Sequence, residues 1–156
     1  MFIINKKKSA FGLIETIIAS GILIVVVGAL ALVSSVVLKS SRQTSEDLMA
    51  NYLIYEVFES ARQIRGTNYI DENSDTSWDN GLTIGDVKLN FADPLIPSFG
   101  VSTEEKINDV RGIDYTRKIN LKKISTDKIK ITVTITWGDS KERKSAIILT
   151  NYEQGF

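Results

Sequence analysis

An α+β fold is predicted, with a long N-terminal helix packed on an antiparallel β-sheet of about four strands. Three observations predict it. Residues 16–38 form an uncharged, largely apolar run, and apolar residues then recur every three or four positions as far as Ile64. The second half of the chain alternates apolar and polar side chains with a period of two.

The N-terminal run is rich in Leu, Ile, Val and Ala and ends at Lys39. At about 1.5 Å per helical residue, roughly 20 such residues cross a hydrocarbon core of about 30 Å. The lysine cluster before it, Lys6-Lys7-Lys8, predicts a single pass with the N-terminus in the cytoplasm and the remainder outside. A secretory signal peptide would have a shorter apolar core followed by a small-residue cleavage site, which this run lacks. Glu15 stands at the leading edge of the span among Leu13, Ile14, Ile17 and Ile18. A carboxylate at membrane depth costs about 2.5–3.5 kcal/mol on insertion scales, less near the interface. It therefore reads as a pairing site, against the plainer reading in which it snorkels to the headgroups.

Helical spacing continues past Lys39 through Leu48, Met49, Tyr52, Leu53, Val57, Phe58, Ala61 and Ile64, one apolar face. Glu46, Asp47, Glu56, Glu59, Arg62 and Arg65 fall largely on the other, and Gly66 offers a helix stop. One helix from near Phe11 to Arg65 is expected. Residues 66–81, rich in Asn, Asp, Ser and Thr, read as an exposed connection.

Beyond it Val87, Leu89 and Phe91 alternate with polar neighbours, as do Ile119 and Leu121, and as do Ile129, Ile131, Val133, Ile135 and Trp137. Ser125-Thr126-Asp127-Lys128 and Gly138-Asp139-Ser140-Lys141 supply turns, so the last three strands, ending with residues 146–152, should form a meander. Pro94 and Pro97 mark an irregular crossover, and residues 100–112 show no period.

Composition narrows the function. The 156 residues carry 19 Lys+Arg against 19 Asp+Glu, so no global field draws the chain to a polyanion. Neither Cys nor His is present, which removes disulfides, the usual zinc ligands, a cysteine nucleophile and the commonest general base near neutral pH. A catalyst is not the expected class.

Lys-Lys-Ser-Ala-Phe-Gly-Leu-Ile-Glu-Thr followed by an apolar helix resembles the processing signal of type IV prepilins and type II secretion pseudopilins. The resemblance covers about a tenth of the chain. It implies a pilin-like fold, a leader of residues 1–10 cut by prepilin peptidase between Ala10 and Phe11, and N-methylation of Phe11. It implies further that residues 11–38 form the membrane-spanning and filament-core half of the helix and residues 39–156 an extracytoplasmic globular domain. Phe11 and Glu15 would be assembly residues, the partners being other pilin or pseudopilin subunits, the peptidase and an inner-membrane assembly platform. The expected product is a minor pilin or pseudopilin, in the cytoplasmic membrane and then in a pilus or pseudopilus. The alternative is a membrane-anchored extracytoplasmic binding or sensor module that never polymerises. Two departures from the family pattern are Ala10, where Gly is preferred before the cut, and Gly12, where Thr or Ser is common. Ala is small enough for a narrow peptidase subsite.

Two further constellations carry alternatives. Asp71, Asn73, Asp75, Ser77 and Asp79 place oxygen donors at alternate positions like the start of a calcium loop, yet the sixth place is Thr76 and the twelfth Leu82, so an EF-hand is not supported. Some pseudopilins bind calcium in a loop of the globular domain, which leaves Asp71, Asn73, Asp75 and Asp79 as candidate calcium ligands and a solvated loop as the plainer reading; no other cofactor is expected. Lys118, Lys122, Lys123, Lys128, Lys130, Arg143 and Lys144 decorate the strands, with Tyr69 and Trp78 flanking the loop. Alternation puts those lysines on the solvent face, where they would discourage edge pairing, so nucleic acid is not an expected partner.

Overall fold

A computed structural model describes residues 7–70, 77–93 and 96–151. Two compact units divide the chain, Met1–Glu46 and Asp47–Phe156. Helix α1 (Lys7–Ile70) begins in the first and ends in the second. Without a proline between residues 11 and 38, its first part runs through Gly21 and Gly28 unbroken.

In the second unit α1 buries Ala50, Leu53, Ile54, Val57, Phe58, Ala61 and Ile64, one stripe with helical spacing. The stripe differs from the predicted one at its start. Leu48 and Tyr52 are exposed, and Ala50 and Ile54 take the inward places. Ala50 and Ala61 are both fully buried. The helix also passes Gly66 and ends at Ile70, not Arg65. Tertiary contacts hold the extra turn: Asn68 Nδ2 donates to the carbonyls of Trp78 and Asn80, at 3.1 and 2.7 Å. A Cβ at Gly66 would meet nothing within 4 Å. Gly66→Ala is therefore expected to stabilise the fold by about 0.5–1 kcal/mol, read as a rise in melting temperature of the full chain in detergent.

The sheet has six strands, β1 (Gly85–Asp93), β2 (Ile96–Val101), β3 (Glu105–Asn108), β4 (Asp114–Ser125), β5 (Lys128–Trp137) and β6 (Lys141–Thr150). The order is β2-β1-β4-β5-β6, all pairs antiparallel, with β3 pairing β4 off that path. The α+β class stands, and the strand count is six where about four are predicted. Of the strands not predicted, β2 comes from the crossover marked by Pro94 and Pro97 and β3 from the stretch without a period. β2 tolerates Pro97 because it is an edge strand. β3 is four residues long and shares one edge of β4 with β1: β3 faces residues 114–117 and β1 faces residues 119–121.

The meander of β4, β5 and β6 is as predicted, with β6 starting five residues earlier than expected, at Lys141. Gly138 (φ 53°) and Ser140 (φ 74°) turn the chain between β5 and β6, and Ser140 N donates to Gly138 O at 2.9 Å. Ile129, Ile131, Val133, Ile135 and Trp137 all face inward, so one parity of β5 is core from end to end. Tyr115 lies directly across from Trp137, with ring centroids 5.9 Å apart. Phe91 departs from the predicted face and is half exposed, because the register of β1 against β2 shifts between Asn90 and Asp93.

Candidate functional site

In the first unit every Leu, Ile and Val between residues 13 and 38 is 49–71% exposed, all around the helix. A helix apolar on every side belongs in lipid or among other apolar helices. Its length and composition suffice to cross a membrane. The hydroxyls along it are satisfied internally. Thr16 Oγ1 donates to the carbonyls of Gly12 (3.1 Å) and Leu13 (2.9 Å), Ser20 Oγ to Ile17 O, Ser34 Oγ to Leu30 O and Ser35 Oγ to Leu32 O.

Glu15 differs from those hydroxyls. Its carboxylate is exposed, lies in a shallow groove with Ile14, Ile18, Ala19 and Ile22, and has no side-chain partner among the described residues. The backbone of Ala10 and Phe11 lies within α1, while their side chains fall outside what is described. Residues 11 and 15 are thus one helical turn apart on one face.

The second unit holds a charged cluster that sequence reasoning missed. Arg117 is only 2% exposed. Its Nε and Nη2 donate to Glu105 Oε2 at 3.0 and 2.8 Å, and its Nη1 donates to Glu56 Oε2 at 2.5 Å and to Leu53 O at 3.4 Å. One guanidinium therefore joins α1, β3 and β4. The signal was present in the chain: Arg117 shares the parity of Ile119 and Leu121, which directs it inward.

Of the predicted calcium ligands, Asp71, Asn73 and Asp75 lie outside the described residues. Asp79 is described, and both of its oxygens are engaged. Lys123 Nζ donates to Oδ2 at 2.7 Å and Ser77 Oγ donates to Oδ1. A cation at Asp79 would have to displace an ammonium already in place. Among the described residues no three Asp, Glu, His or Cys side chains converge. Asp79 instead belongs to a clasp. Trp78 Nε1 donates to Thr126 O at 3.2 Å, and Leu82 N to Asp79 O at 3.0 Å.

The ammonium of Lys123, and next the Ser77 hydroxyl, hold the Asp79 carboxyl below its ordinary value, with burial acting the other way. A depressed folded-state pKa gives stability that is complete above the unfolded value of about 3.9 and lost as pH falls through the folded value. Unfolding free energy measured against pH should therefore decline less steeply on the acid side in Asp79→Asn than in the parent chain.

Comparison with protein-family models, curated proteins and solved structures finds no match to this chain.

Proposed function

We propose that the chain is a structural subunit, a minor pilin or pseudopilin, of a type IV pilus or a type II secretion-like filament. The observation that carries the reading is Glu15, a carboxylate without a partner among the described residues and the one charged side chain between residues 13 and 38. Prepilin peptidase would cut between Ala10 and Phe11 and free an ammonium at Phe11, which is then N-methylated. A neighbouring subunit's Glu15 would meet that ammonium in low dielectric. Lateral packing of apolar helices is almost indifferent to sliding, because lipid tails are as apolar as Leu. A buried ion pair is not, since removing one partner costs about 3–5 kcal/mol. The pair sets the register of assembly, and the apolar helix moves from lipid to a sheath of like helices.

In this reading the N-terminus is cytoplasmic, the sheet-bearing unit is outside, and the protein has no catalytic step. The plainer alternative, a membrane-anchored binding or sensor module, shares the span and the outside unit and differs at the cut. Expression of the full chain with prepilin peptidase, followed by mass measurement, separates the two. A mature chain beginning at methylated Phe11 is expected; a chain retaining residues 1–10 would favour the anchor.

A further inference from the structure

β6 is an outer strand of the sheet, paired on one side by β5 along all 10 of its residues without a register shift. Its parity fixes which backbone groups face outward. Asn151 N donates to Asp127 O at 2.9 Å, a hydrogen-bonded pair one step beyond Lys128 and Thr150. Such pairs alternate along an antiparallel ladder, so residues 145, 147 and 149 bond to β5, while Lys144, Ala146, Ile148 and Thr150 direct N–H and C=O to the open side. Thr150 O agrees, accepting from the Arg65 guanidinium of α1 at 3.3 Å. The outward backbone groups of Lys144, Ala146 and Ile148 have no protein partner among the described residues. Other margins of the sheet are guarded. β2 carries Pro97 and Gly100, and the unpaired stretches of β4 carry Lys118 and Lys122. In β6 the charges stop at Lys144: residues 145–150 hold no charge, proline or bulge, and Ile148 is 57% exposed.

We propose that β6 accepts an extended peptide of another protein as an antiparallel strand along residues 144–148, enlarging the sheet by one strand. The chemistry of that peptide follows from the three outward positions, whose side chains lie on the solvent face. Opposite Ile148 a β-branched residue covers exposed apolar surface. Opposite Ala146 a large ring fills the space above a methyl group, and opposite Lys144 a carboxylate meets the ammonium. From its N-terminus the peptide is therefore β-branched, aromatic and acidic at alternate places. A second copy of this chain is a poorer occupant. α1 runs beside β6 in the same direction, with Asp47 3.5 Å from Arg143 and Arg65 hydrogen-bonded to Thr150. Antiparallel pairing of two β6 strands would oppose the two α1 segments, whereas subunits drawn from one membrane share one polarity. That exclusion of a second copy rests on the filament reading; the open edge does not.

The test uses the unprocessed full chain in detergent, so its outcome is separate from that of the cleavage experiment, with a fluorescent synthetic peptide, Val-Thr-Tyr-Thr-Glu, as probe. Saturable binding is expected, with slower hydrogen exchange at the Ala146 and Ile148 amides and no change at residues 145, 147 and 149. N-methylation of the probe's Tyr, whose N–H faces β6, should abolish binding; N-methylation of its first Thr, whose N–H faces away, should not. Ala146→Pro keeps the ladder to β5, because that N–H is not part of it, and is expected to weaken binding at least about tenfold. Lys144→Glu should reverse the preference, favouring a probe that ends in Lys. Absence of binding, an equal effect of the two methylations, protection only elsewhere in the chain, or dimers joined through β6 in place of peptide uptake would each overturn the proposal.

Discussion

Glu15→Gln is expected to remain in the membrane, to be processed, and to be depleted from sheared filaments about a hundredfold when it competes with the parent chain. The magnitude follows from about 3 kcal/mol for leaving a neighbour's ammonium unpaired among apolar helices, at 1.4 kcal/mol per tenfold. Removing the charge also makes the span easier to insert, so poor membrane entry would not account for the depletion. The two readings of Glu15 diverge here. A carboxylate that only snorkels to headgroups contributes nothing to register, and its Gln variant would enter filaments as the parent does. Quantitative mass spectrometry of membrane and filament fractions from one culture supplies both values.

The second large effect is expected at Arg117. Arg117→Ala should destabilise the sheet-bearing unit by about 3–5 kcal/mol, a large share of the 5–15 kcal/mol typical of a domain. The substitution leaves Glu56 and Glu105 without their shared cation and opens a cavity beneath α1. Both carboxylates are about a quarter exposed and regain some hydration, which places the expected value towards the lower end. A triple variant, Arg117→Leu with Glu56→Leu and Glu105→Leu, distinguishes lost pairing from lost volume. Recovery of most of the stability is expected, because apolar groups of similar size often replace a buried ion cluster without penalty. Chemical denaturation of the full chain in detergent measures both.

Much of this architecture could be read from the chain because burial imposes simple periods. The β5 residues 129–137 alternate without a break, and that strand is central, paired on both sides and covered by α1, so nothing disturbs its pattern. β2 and β3 were not legible for the opposite reason. Each is short and lies at a margin, and Pro97 and Gly100 in β2 suppress the usual strand composition. A Cβ at Gly100 would require the Asn90 side-chain amide to move aside, a contact between strands that no local pattern records.

The candidate sites divide in the same way. Glu15 stands out in sequence because one charge in an apolar run is conspicuous, and its lack of a described partner agrees with that prominence. Arg117 was hidden because charged residues on strands are ordinarily read as solvent-facing, and only the third dimension brings Glu56, 61 residues earlier, beside it. Strand lysines were read as edge guards because sequence gives pairing parity but not strand order. Order places β5 inside the sheet and removes that explanation for Lys130, whereas Lys118 and Lys122 lie where neither β3 nor β1 pairs β4. Asp79 was one of four candidate calcium ligands; its ion pair with Lys123, 44 residues away, is not visible in sequence.

Zero-length carbodiimide coupling tests the central contact most directly, in membranes holding the processed chain in heavy- and light-isotope forms. The reagent joins a carboxylate to an amine only where the two touch, and heavy–light products exclude a helix folding Glu15 back on its own N-terminus. The account predicts a peptide in which Glu15 of one copy is linked through an amide to the Phe11 amine of another. Recovery of Glu15 and the Phe11 amine uncoupled, or coupled only within one copy, would contradict it.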